Sequence, residues 1–177
     1  MNIRTAEWKD LEAIVSIYNQ AVGDGQKTAD IIPITVASRK KWFETHNSHT
    51  YPILIAKYND KIVGYLAISA YRPGRMAVRH TAEVSYYVHF DYHHRGIASN
   101  LLEHAIHLCP SIHIKTLFAI IIDSNRYSIR LLENYGFKKW GHMPQVAEFD
   151  NLEVGHLYYG LRIAGIMGKT RKTIQSK

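Results

Sequence analysis

Apolar residues fall at helical spacing at Leu11, Ile14, Val15, Tyr18 and Val22, which predicts a first helix from about Trp8 to Ala21. A short strand, Asn2 to Thr5, precedes it, and Gly23-Asp24-Gly25 ends it. Thr35 is placed to cap a second helix in which Arg39, Lys40 and Lys41 precede Trp42 and Phe43. Pro52 to Tyr58 and Ile62 to Ala70 are rich in β-formers and flank Asn59-Asp60-Lys61, the pattern of an antiparallel hairpin. The basic, broken segment Tyr71 to His80 predicts irregular chain. It delivers the alternating run Ala82 to Val88, then a turn, then apolar residues at Ile97, Leu101, Ala105 and Leu108. Asn100, Glu103, His104 and His107 take the complementary positions, so this helix has one apolar face and one wet face.

Thr116 to Ile122 is almost continuously apolar, as a strand covered on both faces is. Asn125 to Tyr135 predicts a helix stopped by Gly136. Phe137 to His142, Gln145 to Asp150 and Leu152 to Arg162 predict three closing strands, with a turn at Asp150-Asn151. No repeat or low-complexity linker divides the chain. The expected fold is a single α/β domain, a mixed, mostly antiparallel central sheet flanked by helices, over residues 1–162.

Composition narrows the class. The chain is 46% hydrophobic and 21% charged, values of a globular protein with a substantial core. No apolar run is long enough to cross a bilayer and the amino terminus leads directly into an amphipathic segment, so neither a signal peptide nor a membrane partner is expected. The single cysteine, Cys109, excludes an internal disulfide framework and suits the cytoplasm. The net charge of +7 would fit nucleic acid, but Lys169, Arg171, Lys172 and Lys177 supply four of those charges from an acid-free tail over residues 163–177. A short basic end of this kind reads as solvated, and no aromatic and basic interleaving marks a single-strand clamp, so no nucleic-acid partner is expected. His89 with His93 and His104 with His107 have metal-compatible spacings without the acids or thiols that would complete a set, so no metal is expected.

The candidate chemistry lies in the turn His93-His94-Arg95-Gly96-Ile97-Ala98-Ser99. A helix that starts there offers unpaired backbone N–H groups and the positive end of its dipole, a setting suited to phosphate. Gly96 sits where the chain turns tightly and where a ligand can approach bare backbone. The pattern resembles the pyrophosphate-binding segment of the GNAT acyltransferase superfamily, with His93 in place of the usual Gln or Arg and with Gly96 and Ala98 matching. Arg79 to Val88 and Asn125 to Phe137 are similar to the phosphinothricin acetyltransferase branch in particular, and the resemblance runs over roughly residues 1 to 162.

The resemblance implies an acetyl-CoA-dependent N-acetyltransferase acting by direct transfer, with acetyl-CoA as cosubstrate and a small-molecule amine, an amino acid or analogue of the phosphinothricin or methionine sulfoximine type, as acceptor. It implies that the strand before the turn parts from its neighbour, so that backbone amides of Tyr86, Tyr87 and Val88 meet the pantetheine arm and the thioester. Residues His93 to Ser99 would hold the pyrophosphate, and Asn125 and Ser128 would touch the coenzyme. Glu83 matches the glutamate that removes the amine proton, which requires its carboxyl to be raised by burial or the amine's to be lowered by cations. Arg75 and Arg79, with Arg72 less firmly aligned, carry forks suited to an acceptor carboxylate. A homodimer is compatible with the resemblance. Two departures stand out: Leu132 occupies the place where relatives carry a Tyr or His that protonates the thiolate, and Gly155 lies about where an aspartate is common. They motivate one alternative, a CoA-binding regulatory or interaction module; a second, an acetyltransferase for a peptide or protein amine, is left open by the cleft loops, whose shape the sequence does not fix.

Overall fold

The computed structural model describes residues 1–25 and 27–163, so the basic tail, apart from its first residue, lies outside the described residues. The strands are β1 (Asn2–Thr5), β2 (Ile53–Tyr58), β3 (Lys61–Ala70), β4 (Thr81–Val88), β5 (Thr116–Ile122), β6 (Lys138–Phe149) and β7 (Leu152–Arg162). The helices are α1 (Leu11–Gly23), α2 (Val36–Glu44), α3 (Ile97–Leu108) and α4 (Arg126–Asn134). All seven strands form one sheet in the order β1-β2-β3-β4-β5-β7-β6, antiparallel at every junction except β4–β5. Among the described residues no helix is long and apolar enough to cross a membrane.

The strand period of two sorts side chains onto two cores. On one face Leu66, Ile68, Val84, Leu117 and Ala119 meet Leu101, Leu102 and Ala105 of α3 and Ile129 and Leu132 of α4. On the other, Ile53, Ile55, Tyr65 and Ala67 meet Ile14, Ile17 and Tyr18 of α1 and Phe43 of α2. The alternation that puts Tyr87 on this second face puts Glu83 and Ser85 there too.

Local chemistry sets the helix ends. Thr35 accepts a hydrogen bond from the Ser38 amide at 3.1 Å, and Asn125 accepts one from the Ser128 amide at 3.2 Å. The first helix differs from its expected start, because Trp8–Asp10 form a separate 3-10 turn held by Asp10, whose carboxylate accepts from the Glu7 amide and pairs with Arg4 at 2.7 Å. The strands expected at 137–142 and 145–150 are one strand. A bulge between Met143 and Ala147, with Gln145 at φ 52°, absorbs the extra residues without ending the ladder, and Pro144 is tolerated because β6 is a sheet edge.

Candidate active site

Strands β4 and β5 pair only at Thr81↔Thr116, Ala82↔Leu117 and Glu83↔Phe118. Beyond Glu83 they part, and Val84–Val88 face a gap instead of a neighbour. The register with β3 decides which backbone groups point into it. The His89 amide donates to Val63 at 2.9 Å, and in an antiparallel ladder the direction alternates, so the amides of Tyr87 and Ser85 also turn to β3. Those of Val84, Tyr86 and Val88 point into the gap. The expectation of three free amides is thereby corrected: Tyr86 and Val88 present theirs, Tyr87 does not, and Val84, missed from sequence, does.

The gap opens into a cavity of about 640 Å³. Glu83 lines one part of it, the turn His93 to Ser99 another, and Asn125 and Ser128 reach it from the start of α4. Arg95 stands outside the wall, its guanidinium 5.0 Å from the centre of the Tyr92 ring. The turn is built for close approach: Gly96 at φ 73° and His94 at φ 58° are both left-handed, and the His93 Nε2–H donates to the Val88 carbonyl at 3.0 Å, tying the turn to the parted strand. His94 meets the Tyr127 ring edge-on at 5.8 Å, which joins turn to α4.

Glu83 makes no hydrogen bond or ion pair within the described residues, and burial alone pushes its carboxyl above the ordinary carboxylate value. Arg72, Arg75 and Arg79 are not part of the cavity wall. They sit on the β3–β4 connection, whose ends are joined beside Glu83 by the Tyr71 amide donating to Thr81. Arg72 lies over the Tyr71 ring and Arg79 donates to the Met76 carbonyl at 2.8 Å, contacts within their own loop. Tyr86 carries the buried side-chain oxygen without a hydrogen-bond partner among the described residues. Burial pushes this phenol up to about 12, with the neighbouring Ser128 opposing the rise, so it stays a proton donor at neutral pH. Free amides along a parted strand, an unpartnered buried hydroxyl and an open helix N-terminus suit a long polar chain that ends in phosphate.

Leu132 is fully buried in the core under α4 and offers the cavity no proton. Gly155 is needed where it stands. The Asp123 carboxylate accepts from the Gly155 amide at 3.0 Å and from His142 Nε2–H at 3.1 Å, and a Cβ at 155 would collide with both side chains. The cavity also takes Lys27, Thr28 and His156, which sequence reasoning left unassigned; they come from a loop and a distant strand, with no local pattern to flag them. Cys109 is wholly buried and burial pushes its thiol up to about 12, so it is a packing residue and not a nucleophile. A thiol-specific reagent is expected to label it only in denaturant; rapid labelling of the native protein would contradict this.

Residues 11–137 match the model of the Acetyltransferase (GNAT) family. The chain belongs to the GNAT acetyltransferase family. Within it, the chain is 36% identical over 166 residues to Bacillus subtilis (strain 168) YwnH, named for phosphinothricin acetyltransferase, covering 93% of this chain and 98% of that one. It is 34% identical over 148 residues to the Pseudomonas aeruginosa L-methionine sulfoximine/L-methionine sulfone acetyltransferase, covering 83% and 86%. The crystal structure of a phosphinothricin acetyltransferase from Sinorhizobium meliloti in complex with AcCoA superposes with a TM-score of 0.85 at 26% identity, covering 91% of this chain and 87% of that one. The resemblance expected from the turn and its flanks is borne out, as is the mixed, mostly antiparallel fold. As a GNAT enzyme the protein is an acetyl-CoA-dependent N-acetyltransferase.

Proposed function

We propose that the protein acetylates the primary amine of an amino acid or close analogue, of the phosphinothricin or methionine sulfoximine type, by direct transfer in a ternary complex. The parting of β4 from β5, with a carboxylate at the closed end of the fork, carries this reading. Glu83 takes the ammonium proton, and its raised affinity for protons narrows the gap to an amine near pKa 10. The amine lone pair attacks the thioester carbonyl. Outward amides of Val84, Tyr86 and Val88 meet the oxygen as it gains charge. The pyrophosphate lies against His93 to Ser99, with Arg95 adding its charge from outside, and Asn125 and Ser128 contact the coenzyme arm. With Leu132 in the core, the departing thiolate, of pKa about 8.5, leaves without a dedicated acid from that position.

Arg72, Arg75 and Arg79 hold the acceptor carboxylate at the rim, since their loop springs from the strand ends beside Glu83. Residues 1–162 form the catalytic domain in this reading, with a cytoplasmic location, and a homodimer is favoured by the exposed Trp140, Met143 and Val146 on the β6 edge. The test is release of free CoA from acetyl-CoA across amino acids, methionine sulfoximine, phosphinothricin and amines without a carboxylate. Arg75→Ala is expected to raise KM for carboxylated acceptors roughly tenfold, as loss of a charge-assisted contact does, with KM for acetyl-CoA unchanged. Equal effects on both substrates would remove Arg75 from the acceptor site. Tight acetyl-CoA binding without release for any small amine would favour a peptide acceptor or a binding module.

A further inference from the structure

We propose that Ser69 and His46 form a proton relay behind Glu83, carrying the acceptor's proton from the cleft to the end of α2. The proposal rests on the reading of Glu83 as base. Ser69 of β3 is the direct cross-strand partner of Glu83 on β4. The ladder puts both side chains on the α1/α2 face with Cβ atoms about 5 Å apart, a spacing that one water spans. Behind Ser69, its hydroxyl lies 2.9 Å from His46 Nε2.

The tautomer follows from the other ring nitrogen. His46 Nδ1 is 2.8 Å from the Trp42 carbonyl, which only accepts, so Nδ1 carries the hydrogen. In the neutral ring Nε2 is therefore the acceptor, and the Ser69 hydroxyl donates to it. That leaves the Ser69 lone pairs free on the Glu83 side. Burial lowers the proton affinity of His46, the Trp42 carbonyl opposes this, and the nearby Arg39 adds to it. Arg39, itself stacked over Trp42 and Tyr18, is the charged side chain that acts directly on the ring; β3 presents Ser69 to it, and in the relay Glu83, beyond on β4, reaches it through Ser69. Glu83 is raised and His46 lowered from ordinary values about two units apart, so their affinities converge, the condition for a proton to pass either way.

Each transfer balances. The amine N–H bond breaks as the Glu83 carboxylate gains the proton. Ser69 Oγ then takes that proton while giving its own to His46 Nε2, restoring the carboxylate and leaving an imidazolium. The half-buried imidazolium turns to solvent, where its Nε2–H bond breaks and water takes the proton, and the ring returns as the Nδ1–H tautomer. Ser69 and His46 act through Glu83 and never touch the reacting atoms, so they are positioning residues whose signature is proton traffic.

Ser69→Ala and His46→Gln are expected to lower kcat roughly ten- to hundredfold, with KM for acetyl-CoA unchanged. Their residual rates should rise with imidazole buffer concentration, which the original enzyme ignores, and the double variant should be no slower than the worse single one. Both variants retaining full, buffer-independent kcat, while Glu83→Gln is inactive, would overturn the relay and leave the base reading intact. Full activity in Glu83→Gln would remove both. Should either variant fail to fold, ¹⁵N imidazole NMR of the original chain and Glu83→Gln decides: His46 is expected to be the Nδ1–H tautomer and to shift its titration when Glu83 loses its charge. The opposite tautomer or an unmoved titration overturns the proposal.

Discussion

Glu83→Gln is expected to lower kcat by about 10²- to 10⁴-fold while acetyl-CoA binding stays within about twofold of the original. The amide keeps the shape and hydrogen-bonding reach of the side chain and removes its basicity. The pH dependence is equally specific. Burial raises the Glu83 carboxyl, so the active carboxylate is lost as pH falls through that raised value, and the acid limb of kcat/KM lies above about 4.3, the ordinary glutamate value. The amide variant should lack that limb. An unchanged limb with unchanged kcat would exclude Glu83 as the base.

Gly96→Val is expected to weaken acetyl-CoA binding by about ten- to hundredfold in titration calorimetry. Gly96 precedes α3 at φ 73°, where a β-branched residue pays roughly 1–3 kcal/mol, equivalent to that loss when the turn must adopt this shape to bind. The cause is backbone strain and not crowding, because a Cβ there would meet only the flexible Asn100 side chain at an ordinary 3.6 Å. Unchanged affinity in a variant as stable as the original would mean that the turn does not hold the pyrophosphate.

Legibility in the sequence tracked the range of each interaction. The turn before α3, the cap at Thr35, the helix after Asn125 and the strand bearing Glu83 were legible because neighbours along the chain determine them. The length of β6 was not, since a bulge holding Pro144 and Gln145 within one ladder looks locally like a break. Nor were the amide directions of Tyr86 and Tyr87, which depend on their register with β3. The contacts of Arg72 with Tyr71 and of Arg79 with Met76 were not legible either, since residue type near Glu83 does not reveal how the loop folds on itself. The Ser69–His46 contact spans 23 positions, and either residue alone reads as an ordinary polar side chain.

The short β4–β5 ladder has a mechanical consequence. Strands β1 to β4 form one plate and β5, β7 and β6 another, and only three residue pairs stitch the two together, all at the Glu83 end. A ligand lying along the seam supplies the rungs the backbone lacks. In the proposed binding mode the cosubstrate is also mortar, and the enzyme would be most completely a single sheet when loaded for reaction.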